Sequence, residues 1–125
     1  MQGLKASYDD PAIFQKHVDQ LHELFRDVKR IGAQPVFVFM PFPHMWKLFP
    51  KSSRDEIYSR IKDTVAETGI PIIDLSDIEE KYTPEEFQLN PFDAHPNARM
   101  QEVFAGAIYQ GLIHTKEFTA VLSGK

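Results

Sequence analysis

The chain has 125 residues, of which 42% are hydrophobic and 26% charged, a composition that suits one compact folded domain. Its formal net charge is −4, and its 14 Lys and Arg residues are spread along the chain, so they form no basic patch for nucleic acid or anionic lipid. There is no cysteine, which excludes disulfides and thiolate chemistry. No apolar run is long enough to cross a bilayer. Neither nucleic acid nor a membrane is expected as a partner.

The first predicted element is an amphipathic helix over residues 11–31. Asp10 and Pro11 form a cap followed by a favoured first helical residue, and Gly32 offers a left-handed terminator. Apolar residues recur at helical spacing and predict a face that packs on the core. This stripe comprises Phe14, Val18, Leu21, Leu24, Phe25, Val28 and Ile31.

Two short strands are predicted next, at residues 36–40 (VFVFM) and 70–75 (IPIIDL). The first is apolar without alternation, as expected of a parallel strand that is covered on both faces. A helix predicted at 54–68 lies between them, which implies a right-handed crossover. Two strands are few for an α/β sheet. The chain is therefore either part of a larger sheet or a homo-oligomer completed through an exposed strand edge.

Turn and cap signals divide the rest of the chain. Prolines at 41, 43 and 50 predict a loop. Ser53 with Glu56, and Thr83 with Glu86, have capping-box spacing, and Gly69 follows the middle helix. A final helix is predicted at 97–112, and the polar tail 114–125 is expected to fray. The core face of the final helix would be Met100, Val103, Phe104, Ala107, Ile108 and Leu112.

The candidate chemical site is the segment 90–97 (NPFDAHPN), read as a loop before the final helix. Asp93 could accept a hydrogen bond from one imidazole nitrogen of His95, which leaves the other nitrogen to take a proton from a nucleophile. The same residues also fit a simpler role, because an Asp or His at this position can cap the helix that follows. Spacing alone leaves both interpretations open.

Residues 93–97 (DAHPN) resemble the last conserved block of SGNH (GDSL-type) hydrolases, and the GIPIIDL run at 69–75 adds to the likeness. The resemblance implies a flavodoxin-like, three-layer α/β fold represented by its C-terminal part, a single domain over 1–125 with two parallel strands and flanking helices. It also implies that Asp93 and His95 are the acid and base of a Ser-His-Asp esterase that acts on small acyl esters.

The chain departs from the family pattern in several places. One residue, rather than the usual two, separates Asp93 from His95, and no Gly-His follows the Pro-Asn pair. The Gly-Asp-Ser and Gly-x-Asn-Asp blocks, which supply the nucleophile and oxyanion donors, are absent; Gly3 falls near the second but lacks its asparagine. No serine occupies a glycine-flanked turn that would activate it. The serines are Ser7, Ser52, Ser53, Ser59, Ser76 and Ser123.

His44 and Trp46 are candidate pocket residues, because they follow the carboxyl end of the first predicted strand, where open α/β sheets bind ligands. Alternatively, the aromatic residues of this segment pack onto the body and leave His44 exposed. Asp74, Asp93 and His95 could be imagined as metal ligands with His44. Their spacing does not demand it, so no metal and no cofactor is expected.

The sequence thus predicts the C-terminal region of an SGNH-like hydrolase whose complete parent cleaves acyl esters. Without a nucleophilic serine this chain is expected to be inactive alone. The alternative is a noncatalytic, self-associating or interaction module derived from the same fold.

Overall fold

The computed structural model describes residues 9–122. Its elements in chain order are α1 (Pro11–Arg30), β1 (Phe37–Phe39), α2 (Pro43–Leu48), α3 (Lys51–Ala66), β2 (Ile72–Asp74), α4 (Ile78–Lys81), α5 (Pro84–Phe87), β3 (Gln88–Asn90), β4 (Asp93–Pro96), α6 (Ala98–Ile113) and α7 (Lys116–Leu122). Within this range no helix is long and apolar enough to span a membrane.

The two predicted strands are present and pair in parallel, with Phe37 opposite Ile72 and Phe39 opposite Asp74. Helix α3 connects them. The mixed α/β class is therefore confirmed. A flavodoxin-like arrangement needs further strands beside this pair, and residues 9–122 do not form them; β3 and β4 make a separate antiparallel pair.

Helices cover both faces of the parallel pair, because successive side chains of a strand point to opposite sides. On one face, Phe37 and Ile72 pack with Phe25 of α1 and Val65 of α3. On the other face, Ile73 joins a cluster with Met100 and Phe104 of α6. This explains why neither strand shows polar alternation. The predicted core face of the last helix is confirmed in full.

Several predicted helix ends are confirmed by their hydrogen bonds and backbone angles. The Asp10 carboxylate accepts from the backbone N–H groups of Ala12 and Ile13, at 2.9 and 3.2 Å. Gly32 and Gly69 adopt left-handed φ angles of 80° and 69°, which glycine reaches without a steric cost. Thr83 and Glu86 form the expected capping box at α5.

Other local predictions were wrong. The segment expected to be a proline loop contains α2, because Pro43 occupies a first-turn position where its missing N–H costs nothing. Helix α3 begins at Lys51 after Pro50, and its cap carries no side-chain hydrogen bond, so the Ser53–Glu56 capping box does not form. Residues 116–122 of the polar tail form α7, and fraying of this tail stays a prediction.

A nearly buried ion pair fixes α2 and α4 relative to α3. Arg54 Nη2 lies 3.2 Å from Glu79 Oε1, and Arg54 Nη1 donates to the Phe49 carbonyl just after α2, at 2.7 Å. Tyr58 Oη also donates to Glu79, at 3.5 Å. Burial, with the Glu79 charge, raises the pKa of Tyr58 to about 12. The tyrosine therefore stays protonated and keeps donating.

We predict that Gly111→Ala destabilises the fold by about 1–3 kcal/mol, the usual range for overpacking. A Cβ at this position of α6 would lie 2.7 Å from Cγ2 of Ile73, a buried β-branched residue that cannot easily rotate away. Urea unfolding monitored by circular dichroism measures the change.

Gly106→Ala is the matched control for this substitution. It lies on the same helix with no atom within 4 Å of the new Cβ, so the variant should gain up to about 1 kcal/mol from helix propensity. Equal effects of the two substitutions would contradict the packing of α6 on β2.

Candidate functional site

Asp93 and His95 lie on a strand of a hairpin, not on the predicted loop. β3 and β4 pair antiparallel, with Asn90 opposite Asp93. The Asn90 side chain accepts from the Phe92 backbone N–H at 2.9 Å and so closes the turn. Because residues two apart on a strand share a face, the hairpin places the acid and the histidine side by side.

The two side chains form a direct hydrogen bond. His95 Nδ1 lies 2.6 Å from Asp93 Oδ1, and the His95 backbone N–H donates to the same oxygen at 3.0 Å. That N–H, followed by the imidazole, holds the pKa of Asp93 below its ordinary value of 3.8. Asp93 is therefore a carboxylate at neutral pH. It favours the tautomer of His95 that carries its proton on Nδ1.

The opposite ring nitrogen of His95 is available. The His95 side chain is 80% exposed, and within residues 9–122 only Nδ1 makes a hydrogen bond. An imidazole with a carboxylate on Nδ1 and a bare Nε2 has the form of a general base. To act as a general base, the pair requires a third group from which Nε2 of His95 can take a proton.

Asn97 anchors the hairpin to the rest of the domain. Its side-chain amide donates to the carbonyls of Glu86 and Gln88, at 2.8 and 3.3 Å. Its side-chain oxygen accepts from the Met100 backbone N–H at 3.0 Å and caps α6. The interpretation in which Asp93 or His95 caps the last helix is therefore wrong, because Asn97 is the cap.

The pair borders an open cleft of about 340 Å³. Among its polar side chains, Lys47 Nζ lies 3.3 Å from Gln88 Oε1, and Lys47 also pairs at 3.3 Å with Glu85, which does not line the cleft. Among its apolar side chains, Phe92 is fully exposed. The cleft is lined by Phe42, Pro43, Lys47, Gln88, Pro91, Phe92, Asp93, Ala94 and His95.

Of the other two predicted pocket residues, Trp46 and His44, the structure describes the side chain of Trp46 alone. Trp46 does not line this cleft; its ring packs edge-on against Phe87, with centroids 5.2 Å apart. His44 lies in the first turn of α2, but its side chain lies outside what the structure describes. Lys47 was not among the predicted site residues. Its position one turn after Pro43 follows from helix α2, which the sequence did not predict.

No serine among the described residues lines the cleft. Ser52 and Ser53 lie in the first turn of α3, and the Ser59 hydroxyl donates to Asp63 at 3.2 Å. The Ser76 backbone N–H donates to Asp74 at 2.9 Å. Gly3, Ser7 and Ser123 lie outside the described residues. Among the described residues, the cleft thus contains a carboxylate and an imidazole but no hydroxyl side chain.

Asp74, Asp93 and His95, which were considered as metal ligands, do not form one cluster. Asp74 lies at the end of β2, where its carboxylate accepts from Lys62 at 2.7 Å. In the range 9–122 no group of three or more His, Cys, Asp or Glu side chains has the geometry to hold a metal ion.

Comparison of the chain with protein-family models, curated proteins and solved structures finds no match.

We predict that His95→Ala raises the pKa of Asp93 toward 3.8 but leaves it below that value. The substitution removes the imidazole donor and keeps the backbone N–H, which is the larger cause of the shift. Carbon-13 NMR titration of the Asp93 carboxyl measures this. The Asp74 carboxyl, which is bound to Lys62, is the internal control and should not move.

The pH dependence of the pair follows from the same shift. A carboxyl whose folded pKa is depressed contributes stability above its unfolded pKa, and this is lost as the pH falls through the folded pKa. The Asp93–His95 contact should therefore persist at neutral pH and open in acid below about 3.8. An Asp93 midpoint unchanged by His95→Ala would contradict the contact.

We also predict that Asn97→Ala lowers the free energy of unfolding by about 1–2 kcal/mol, from the lost helix cap and the lost amide bonds. Asn97→Asp is the informative comparison. It keeps an oxygen for Met100 but points a carboxylate at the carbonyls of Glu86 and Gln88, so it should also destabilise. If Asn97→Asp were as stable as the native chain, the cap alone would account for the role of Asn97.

Proposed function

We propose that this chain supplies the acid–base half of an SGNH-like Ser-His-Asp ester hydrolase, with the serine supplied by another polypeptide segment. The single observation that supports the proposal is the 2.6 Å contact between His95 Nδ1 and Asp93 Oδ1, in a side chain that leaves Nε2 exposed. In such a triad the carboxylate orients the imidazole and stabilises the imidazolium, while Nε2 removes the proton of the serine hydroxyl.

The chemistry of the cleft supports an acyl ester as the substrate. An ester carbonyl needs a nucleophile, a base and donors to its developing oxyanion. The base is present at His95, and the apolar rim formed by Phe42 and Phe92 suits an acyl group. The nucleophile and the oxyanion donors are the parts that a completing segment must bring.

A second function is supported by a different observation. Within residues 9–122, β1 pairs with β2 alone, so its other edge can accept a further strand. A chain of this kind could act as a noncatalytic module that associates with copies of itself. The two functions differ in their dependence on His95, because ester hydrolysis requires its side chain and self-association does not.

The test of catalysis uses a separately expressed, serine-bearing N-terminal half of an SGNH hydrolase, mixed with this chain and assayed on a p-nitrophenyl ester. Alone, this chain should neither hydrolyse the ester nor form an adduct with a fluorophosphonate probe, because its sequence has no serine in a glycine-flanked turn of the kind that activates the hydroxyl. The mixture should hydrolyse the ester, and His95→Ala should lower the rate by about 10²–10⁴-fold, the usual contribution of a general base.

His114→Ala is the matched control, because His114 is another exposed histidine whose Nδ1 contacts the Gln110 carbonyl at 2.6 Å, away from the cleft. It should leave the rate of the mixture unchanged. A His95-dependent adduct on this chain alone would show that it contains its own nucleophile. Hydrolysis that is equally fast with His95→Ala, or absent from the mixture, would count against the proposal.

A further inference from the structure

We infer that the side-chain amide of Gln88 binds the carbonyl oxygen of a neutral ester in the cleft of Asp93 and His95, and that Lys47 holds this amide in place. The inference rests on the proposed function, because the ester is the substrate proposed there. It adds a donor from this chain to those that a completing segment brings. It also narrows the substrate class to esters without a negative charge.

Gln88 is a polar residue in a buried position, with 8% of its surface exposed. It begins β3 and lies opposite Pro96, the residue that follows His95 on β4. Its main-chain carbonyl accepts from the Asn97 side-chain amide at 3.3 Å, and its side chain lines the same cleft as Asp93 and His95. Because a buried amide without partners costs free energy, the partners of this side chain decide its role.

Lys47 fixes the direction of the Gln88 side-chain amide. Lys47 Nζ lies 3.3 Å from Gln88 Oε1. A lysine ammonium group can only donate, so the amide oxygen must face it and the NH₂ group must point away. The reversed amide would set N–H groups against N–H groups. Lys47 is held in turn by Glu85, also at 3.3 Å.

The amide nitrogen of Gln88 is available to a ligand. Within residues 9–122, Nε2 makes no hydrogen bond, and it is not one of the buried side-chain atoms that lack a partner. A nitrogen that is neither bonded nor buried is open to the space that its side chain lines, which here is the cleft. Gln88 thus presents N–H donors to the cleft that also contains the exposed imidazole of His95.

The charges around the cleft favour a neutral acceptor. Lys47 is the lysine that lines it, and this charge is already paired with Glu85. Asp93 adds a carboxylate to the lining, so an anionic ligand would meet a negative charge without an unpaired lysine or arginine to balance it. A carbonyl oxygen carries only a partial charge and accepts from an amide N–H. The side chains of Phe42 and Phe92 suit its acyl chain.

During hydrolysis the same donor would stabilise the transition state. As the serine oxygen bonds to the carbonyl carbon, the π electron pair of C=O moves onto the oxygen, and the hydroxyl proton goes to Nε2 of His95. When the carbonyl re-forms, the alkoxide leaves with that proton. An N–H donates more strongly to the negative oxygen than to the carbonyl, so Gln88 should affect kcat as well as binding.

The test uses this chain alone, titrated with ethyl butyrate and followed by nitrogen-15 NMR. The side-chain NH₂ protons of Gln88 should shift downfield as they donate to the ester carbonyl. Those of Gln15, which already donate to Asp19 on α1, should not move. Ethyl butyl ether, which has the same chain without the carbonyl, should cause no such shift, and the butyrate anion should bind more weakly than the ester.

Gln88→Glu keeps an oxygen beside Lys47 but removes the N–H donors, so it should weaken ethyl butyrate binding by about 10-fold, the equivalent of one hydrogen bond. Gln110→Glu makes the same charge change at an exposed position of α6 and should bind like the native chain. Lys47→Met leaves the amide free to turn and should weaken binding by a smaller factor. Lys47→Arg should restore it, because arginine also only donates.

The titration of the native chain does not depend on how any variant folds. An unmoved Gln88 NH₂ signal, an equal shift with the ether, or tighter binding of butyrate than of the ester would overturn the inference. Unchanged ester binding by Gln88→Glu would overturn it as well.

The assay of the mixture separates this inference from the proposed function. Ester binding at Gln88 with no His95-dependent hydrolysis would retain the binding site and reject the ester chemistry. In an active mixture, Gln88→Glu should lower kcat by about 10²–10³-fold, the usual effect of losing one oxyanion donor. His95-dependent hydrolysis with an unchanged kcat would retain the chemistry and reject the role of Gln88.

Discussion

The buried ring of Phe87 is the contact on which the candidate site depends. It is 1% exposed and packs edge-on against both Trp46 and Phe104, with centroids 5.2 and 5.3 Å away. Its carbonyl accepts from the Asn97 backbone N–H at 2.9 Å. One residue thus ties α2, α6 and both ends of the β3–β4 hairpin together. Such aromatic pairs contribute about 0.5–1.5 kcal/mol beyond the area they bury.

Within this hairpin, the geometry of a single strand brings Asp93 next to His95. Strand side chains repeat every two residues, so Asp93 and His95 share a face although only Ala94 separates them. The usual SGNH spacing of two intervening residues would not place both on one face of a regular strand. The short spacing, which the sequence presents as a departure from the family, is therefore compatible with a direct hydrogen bond here.

Sequence predicts best where one face of a segment is covered along its length. The parallel strands and the α6 core face follow from apolar pattern alone, and so does the extent of α1. The apolar pattern does not predict the exposure of a residue where that exposure depends on neighbouring segments. The exposure of Leu24 and Ile31 in the predicted stripe could not be anticipated, because Leu24 borders an open cleft beside β1 and Ile31 is the C-cap residue just after α1.

The residues of the candidate pair could be picked out from the sequence, but the elements that support them could not. Asp93 and His95 could be picked out by residue type, whereas their hairpin could not, since NPFD at 90–93 and the proline at 96 read as loop signals. Asn97, rather than Asp93 or His95, caps helix α6. Trp46 was predicted to line a pocket because it follows a strand; its ring packs against Phe87 and borders a different cleft, beside Arg54 and Glu79.

The central claim is that Asp93 orients His95 as a base with Nε2 bare. It is tested most directly by nitrogen-15 NMR of the His95 ring, at a pH where the imidazole is neutral. The account predicts a protonated Nδ1 and an unprotonated Nε2, and loss of this preference in Asp93→Asn. A neutral ring protonated on Nε2 would contradict it, because that nitrogen could then accept no proton.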